Sequence, residues 1–137
     1  MNTGNFKRLE GGKEMSEQEW FRQVDELKRQ FDKVNSEVQK ALKSGKFRKM
    51  VFAMHRALDE IPELLRKFEA LTPPKVEWEE SWKYFIEALT GYLLFCRYYE
   101  RGLLDDDASA IAHAMGHLEE SAKLLKMQEN CLRKSER

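Results

Sequence analysis

"SEQEWFRQVDELKRQFDKVNSEVQKALKSG", residues 16 to 45, carries the signals of one complete amphipathic helix. Its opening Ser16-x-x-Glu19 has the form of a capping box, in which hydroxyl and carboxylate each accept from a backbone N–H that the first turn leaves unpaired. Trp20, Val24, Leu27, Phe31, Val34 and Val38 then recur at steps of four and three, which lays them along one stripe. Gly45 supplies the residue that takes a left-handed conformation and ends a helix. Such a helix has one apolar face and must bury it against further elements.

Working outward, the chain supplies three partners. A second helix is expected over residues 47 to 71, with Phe47, Met50, Met54, Leu58, Ile61, Leu65 and Phe68 facing inward. Pro62 lies within it, and Ile61 before it offers no N-cap, so a kink rather than a break is expected there. "LTPPK", residues 71 to 75, stops the helix. A third is expected over residues 77 to 101, with Trp78, Trp82, Phe85, Leu89, Tyr92, Cys96 and Tyr99 on its stripe and Gly102 closing it. Asp105 to Asp107 place negative charge where the dipole of a fourth helix favours it. That helix presents Ala108, Ile111, Met115, Leu118, Ala122 and Leu125, fraying after about Glu129. Connections of a few residues make sequential helices antiparallel, so the expected fold is all-α, an up-down-up-down four-helix bundle. "AMHRALDEIPELLRK" in the second helix is echoed by "AMGHLEESAKLLK" in the fourth, as an old duplication would leave it.

Upstream, "EGGKEM" at residues 10 to 15 translates, under one codon choice, a purine-rich ribosome-binding sequence, a spacer and a start codon. Residues 1 to 14 are therefore expected to be a leader outside the fold, and residues 15 to 137 the bundle.

The 137 residues suffice for one domain with a real core. Acidic and basic residues balance at 24 each, so no global field favours nucleic acid or an anionic membrane. No apolar run approaches the roughly 20 residues that span a bilayer. Cys96 and Cys131 have no paired metal spacing and suit a reducing compartment, which points to the cytoplasm.

"LTPPKVEWEESWKYFIEALTGYLLFCRYYERGLLDDD", residues 71 to 107, resembles the pattern of small bacterial helical bundle proteins of unknown function. In these a Pro-Pro turn leads to an aromatic-rich helix, then a Gly-Asp turn leads into an Ala-rich helix. Several are lipoproteins, and this chain lacks a lipobox. The resemblance implies a fold and no catalytic residue.

Three groups of residues could carry function. "RKMVFAMH" places Arg48 and His55 on one helix face, and resembles the Arg-x4–6-His pattern of HEPN-type RNases, in which a helical dimer forms the cleft. The resemblance implies RNA cleavage by Arg48 and His55, although Lys49 stands where that family usually has a polar residue. His113 and His117, one turn apart, can chelate a transition metal, but the expected stripe turns both outward to solvent. The di-iron pattern of ferritin-like bundles needs Glu-x-x-His motifs, and no histidine here has a glutamate three residues before it. No cofactor is expected. The third helix is apolar on more than one face, so it is either deeply buried or covered by a second chain. Tyr92, Leu93, Phe95, Tyr98 and Tyr99 are the expected interface. The reading is a non-enzymatic protein-binding or scaffold bundle that self-associates through this helix, with the RNase as the alternative.

Overall fold

The computed structural model describes residues 15 to 135, with side chains to residue 133. The leader expected over residues 1 to 14 lies outside them. Four helices form, α1 (Glu17–Ser44), α2 (Phe47–Glu69), α3 (Glu79–Leu104) and α4 (Ala108–Ser135), with a 3-10 turn at Val76–Trp78 before α3. No strand is present among the described residues.

The caps explain most of the boundaries. Ser16 Oγ accepts from Glu19 N at 3.1 Å, which is half of the expected capping box. The Glu19 carboxylate turns instead to Arg22 and Gln23, and these donors hold it well below the usual carboxylate range, at about 2. Gly45 adopts φ 67° and closes α1 by donating its N–H to Leu42 O. At the start of α4, Asp107 Oδ1 accepts from Ser109 N and Ala110 N. α2 runs unbroken through Pro62. Gly102 was expected to end α3, yet the helix continues to Leu104 and the left-handed residue is Asp106, at φ 52°. Gly102 serves packing: a Cβ there would sit 2.3 Å from Ile111 Cγ1 and 3.0 Å from Asp107 O.

The helices form an antiparallel up-down-up-down bundle in which the close backbone neighbours are sequential pairs. Arg56 of α2 faces Glu37 of α1 and Phe68 faces Phe85 of α3, while Ser81 of α3 faces Gln128 of α4. α1 and α3 run parallel and meet through side chains: Phe31 lies edge-on to Phe85 and Tyr92, and Tyr92 Oη donates to Asn35 Oδ1 at 2.7 Å.

α3 is thus the central helix. Phe85, Leu89, Tyr92, Phe95 and Cys96 are fully buried, each large apolar side chain contributing about 1.5–3 kcal/mol of transfer free energy. Its other face is small, and α4 packs tightly on it. Gly91 lies against Ser121, Ser121 Oγ donates to Ala88 O at 2.8 Å, and Ser81 Oγ donates to the Gln128 carbonyl at 3.2 Å. This seam corrects the expected orientation of α4 in part, since Ile111, Leu118 and Leu125 of the expected stripe are half-buried, the last two against the core. Its buried residues are Ala110, Ala114, Ser121 and Gln128, while Ala108, Met115 and Ala122 are exposed. The small and polar side chains win because they let two backbones approach. The echoed methionines differ in environment, Met54 being buried and Met115 exposed.

One end of the bundle is sealed by tryptophans. Trp20 of α1 stacks on Trp78 at 5.3 Å, with Phe21 against the same ring. Trp20 Nε1 donates to Leu71 O and Trp82 Nε1 to Phe68 O, both at 2.9 Å, so carbonyls at the end of α2 are satisfied by indoles. Pro73 in the same connection is fully buried. "LTPPK" is therefore a packed corner rather than a free loop.

Candidate functional site

Of the five aromatic and apolar residues expected at an interface on the third helix, two are inside the chain. Tyr92 is 1% and Phe95 0% exposed. Burial also pushes the Tyr92 hydroxyl far above its ordinary pKa. The apolar breadth of α3 thus has its first explanation, deep burial between α2, α1 and α4. Leu93 and Tyr99 are half-buried and pack against the core, Tyr99 edge-on to Phe95. Tyr98 is half-buried and engaged by its own chain: His117 stacks on it at 5.3 Å, His113 lies at 4.9 Å and the Arg101 guanidinium at 5.7 Å.

These contacts also relocate the histidines. His113 is exposed as expected, but His117 is half-buried against Tyr98, because α4 is turned from its expected orientation. The two rings lie 5.6 Å apart. No group of three or more His, Cys, Asp or Glu side chains converges as a metal would require among the described residues.

Arg48 is exposed in the first turn of α2. His55, one face down the helix, has its Nδ1 3.1 Å from Glu100 Oε2 on α3. The alignment is not that of a hydrogen bond, and Glu100 Oε2 is buried without one, so the contact is an ion pair only when the imidazole is protonated. His55 therefore has a carboxylate beside it, while Arg48 stands at the exposed end.

Two clefts accompany these groups. One, of about 200 Å³ between α1, α3 and α4, is lined by Lys28, Phe31, Phe85, Leu125 and Gln128, and the buried Gln128 Oε1 has no partner. The other, of about 300 Å³ between α1 and α2, is walled by Phe52 with Lys40, Lys49 and Arg56 around it.

The second cleft belongs to a feature that the balanced composition concealed. From Val38 to Leu58 the chain carries six Lys and Arg residues and no Asp or Glu. The run spans the α1–α2 turn, at the end of the bundle opposite the tryptophans. Phe47, expected inward, is 53% exposed because it opens α2 beyond the reach of α1, and Phe52 is 64% exposed. α2 has no acidic residue in its first turn and no side-chain cap, with Lys46, Arg48 and Lys49 placed there instead. Each such cation at a helix N-terminus is unfavourable by about 0.3–1 kcal/mol. Alongside, the α3–α4 turn exposes Asp105, Asp106 and Asp107, with Leu104 54% exposed. A local charge count would have found the basic turn, and the pairing of two turns at one end follows from the topology.

No helix among the described residues is long and apolar enough to cross a membrane. No protein-family model, curated protein or solved structure matches the chain.

Proposed function

We propose that the chain is a non-enzymatic binding bundle of the cytoplasm, whose partners are proteins and whose own copies are among them. The observation that carries this reading is the exposure of Phe47 and Phe52, with Leu104 nearby, where every other Phe, Trp and Tyr among the described residues is buried or half-buried. Large aromatic side chains left in water beside a concave surface are the usual mark of a contact face. The contact face lies at the α1–α2 turn and not among the buried aromatics of α3, and the two cysteine side chains suit a reducing compartment. Sedimentation velocity over a concentration series of the full chain tests the reading. Average mass should rise with concentration, whereas a monomer at every concentration would count against self-association.

The contact between His55 and Glu100 favours a second reading, RNA cleavage by Arg48 and His55. A carboxylate close beside an imidazole suits a general acid–base group, and Arg48 could hold a phosphate. Digestion of RNA by the wild type, lost in both His55→Ala and Arg48→Ala with the helices intact, would establish it. Equal inactivity of all three proteins removes it.

A further inference from the structure

We infer that the chain dimerises end to end, through the paired turns opposite the tryptophan-sealed end, with each basic turn seated on the acidic turn of a second copy. The inference rests on the self-association reading and names its surface and geometry.

Topology puts both turns on one end, because in an up-down-up-down bundle the first and third connections lie together. One turn presents Lys43, Lys46, Arg48 and Lys49, and the other Asp105 and Asp106 beside the capping Asp107, all exposed. Opposite charges so placed on one surface are self-complementary under a two-fold rotation. An axis perpendicular to the bundle, and to the line joining the turns, carries each basic turn onto the partner copy's acidic turn, twice over. The same rotation brings Phe47, set among the cations, against Leu104 of the second copy, set beside the aspartates. The large apolar side chains that the two turns expose thereby cover each other.

Two observations show that these charges are not spent within the chain. None of Lys43, Lys46, Arg48, Lys49, Asp105 or Asp106 belongs to any of the ion pairs among the described residues. The cations on α2 moreover sit where its dipole disfavours them and where Asp or Glu would stabilise the helix. Stability therefore does not explain them, and an acidic partner surface does. A lone anion would satisfy the basic turn but leave Asp105 and Asp106 without a role, whereas a second copy uses both.

The end of four helices, each about 10 Å across, offers roughly 400 Å² per copy, below the range of stable interfaces. The dimer is accordingly weak, and its long-range attraction is screened by salt.

Charge exchange tests the geometry. One variant carries Lys46→Glu, Arg48→Glu and Lys49→Glu. The other carries Asp105→Lys, Asp106→Asn and Ala108→Lys, which turns the acidic turn net basic. It spares the Asp107 cap and keeps a residue at position 106 that tolerates the left-handed conformation. Each variant alone should dimerise at least about tenfold more weakly than the wild type, and an equimolar mixture should recover most of that loss. Circular dichroism of each variant verifies the fold, and a salt titration of the wild type supplies an independent measure should either variant misfold. A dimer indifferent to both exchanges and to salt overturns the end-to-end arrangement while leaving self-association standing. A mixture that stays as weak as its components overturns the arrangement too. A wild type that is monomeric throughout removes both readings.

Discussion

The two ends of this bundle are built from opposite materials. At one, the rings of Trp20, Phe21 and Trp78 pack together beside the α2–α3 corner, and the indole N–H groups of Trp20 and Trp82 satisfy carbonyls at and just beyond the end of α2. At the other, the turns carry lysine, arginine and aspartate, no side chain caps α2, and Phe47 and Leu104 face solvent. The first end spends its aromatic residues on holding the chain together. The second leaves apolar and charged groups unused within the chain, at some cost to the helix that bears them. The contrast teaches that an exposed aromatic residue is informative only against what the same molecule does with its other aromatics. It can be broken or sharpened by substitution, beginning where the effect should be largest.

Phe95→Glu places a carboxylate in the centre of the core, with no buried cation among the described residues to meet it. A buried unpaired charge costs several kcal/mol, comparable to the whole stability of a small domain. Loss of the helical circular dichroism signal is expected. A folded Phe95→Glu protein would show that α3 can turn this face outward, as an interface on that helix requires.

Trp20→Ala removes a stacked ring and the donor to Leu71 O, and should cost about 3–5 kcal/mol. Phe47→Ala at the opposite end should change stability by under about 0.5 kcal/mol. Urea denaturation of the two variants measures the difference directly, and similar losses would abolish the distinction between the ends.

Gly102→Ala should destabilise by about 1–3 kcal/mol, through collision of the new Cβ with Ile111 and Asp107. Gly45→Ala would instead pay for its left-handed φ of 67°, with nothing close to its Cβ. Ile111→Ala should relieve part of the first, the backbone contact with Asp107 remaining, and leave the second unchanged.

The thiols separate core from surface with a smaller effect on stability. Burial, and then the neighbouring Glu100, push the Cys96 thiol up to about 12, while Cys131 is half-exposed beside Glu80. Near neutral pH a thiol reagent should modify Cys131 and spare Cys96 until the protein unfolds. Because the folded thiol holds its proton above the pH at which the unfolded one releases it, this stabilising contribution is complete below about pH 9. It is lost progressively as pH rises from 9 toward 12. A thermal melt followed across that window should show the loss. Glu80 and Cys96 stand sixteen residues apart on α3, roughly 24 Å along its axis, so no Cys96–Cys131 disulfide is expected in folded protein.

Much of this architecture was legible in the residues themselves. The stripe from Trp20 to Val38, the Gly45 cap and the Pro-Pro corner each have one local cause, and each stands where periodicity places it. The face of α4 was not legible in that way. A search for large apolar residues selects Met115, which is exposed, whereas close backbone approach selects Ala110, Ala114 and Ser121. Whether small residues line a seam or face water depends on the partner helix, here on Gly91 and Gly102. Gly102 likewise reads as a cap in sequence and acts as a contact in space. The basic turn was open to a local count, but a net charge of zero averaged it away. The pairing of His55 with Glu100, forty-five residues apart, required the fold.

The division of labour between the two ends is tested most directly by one variant measured in two ways. Lys46→Glu, Arg48→Glu and Lys49→Glu together should leave the unfolding free energy in urea unchanged or slightly raised, since acidic residues suit the first turn of α2. The same protein should sediment as a monomer at concentrations where the wild type self-associates. A loss of stability above about 1 kcal/mol would make this turn part of the fold's support. An undiminished sedimenting mass would show that the charges do not join the copies, and either result would contradict the assignment of this end to binding.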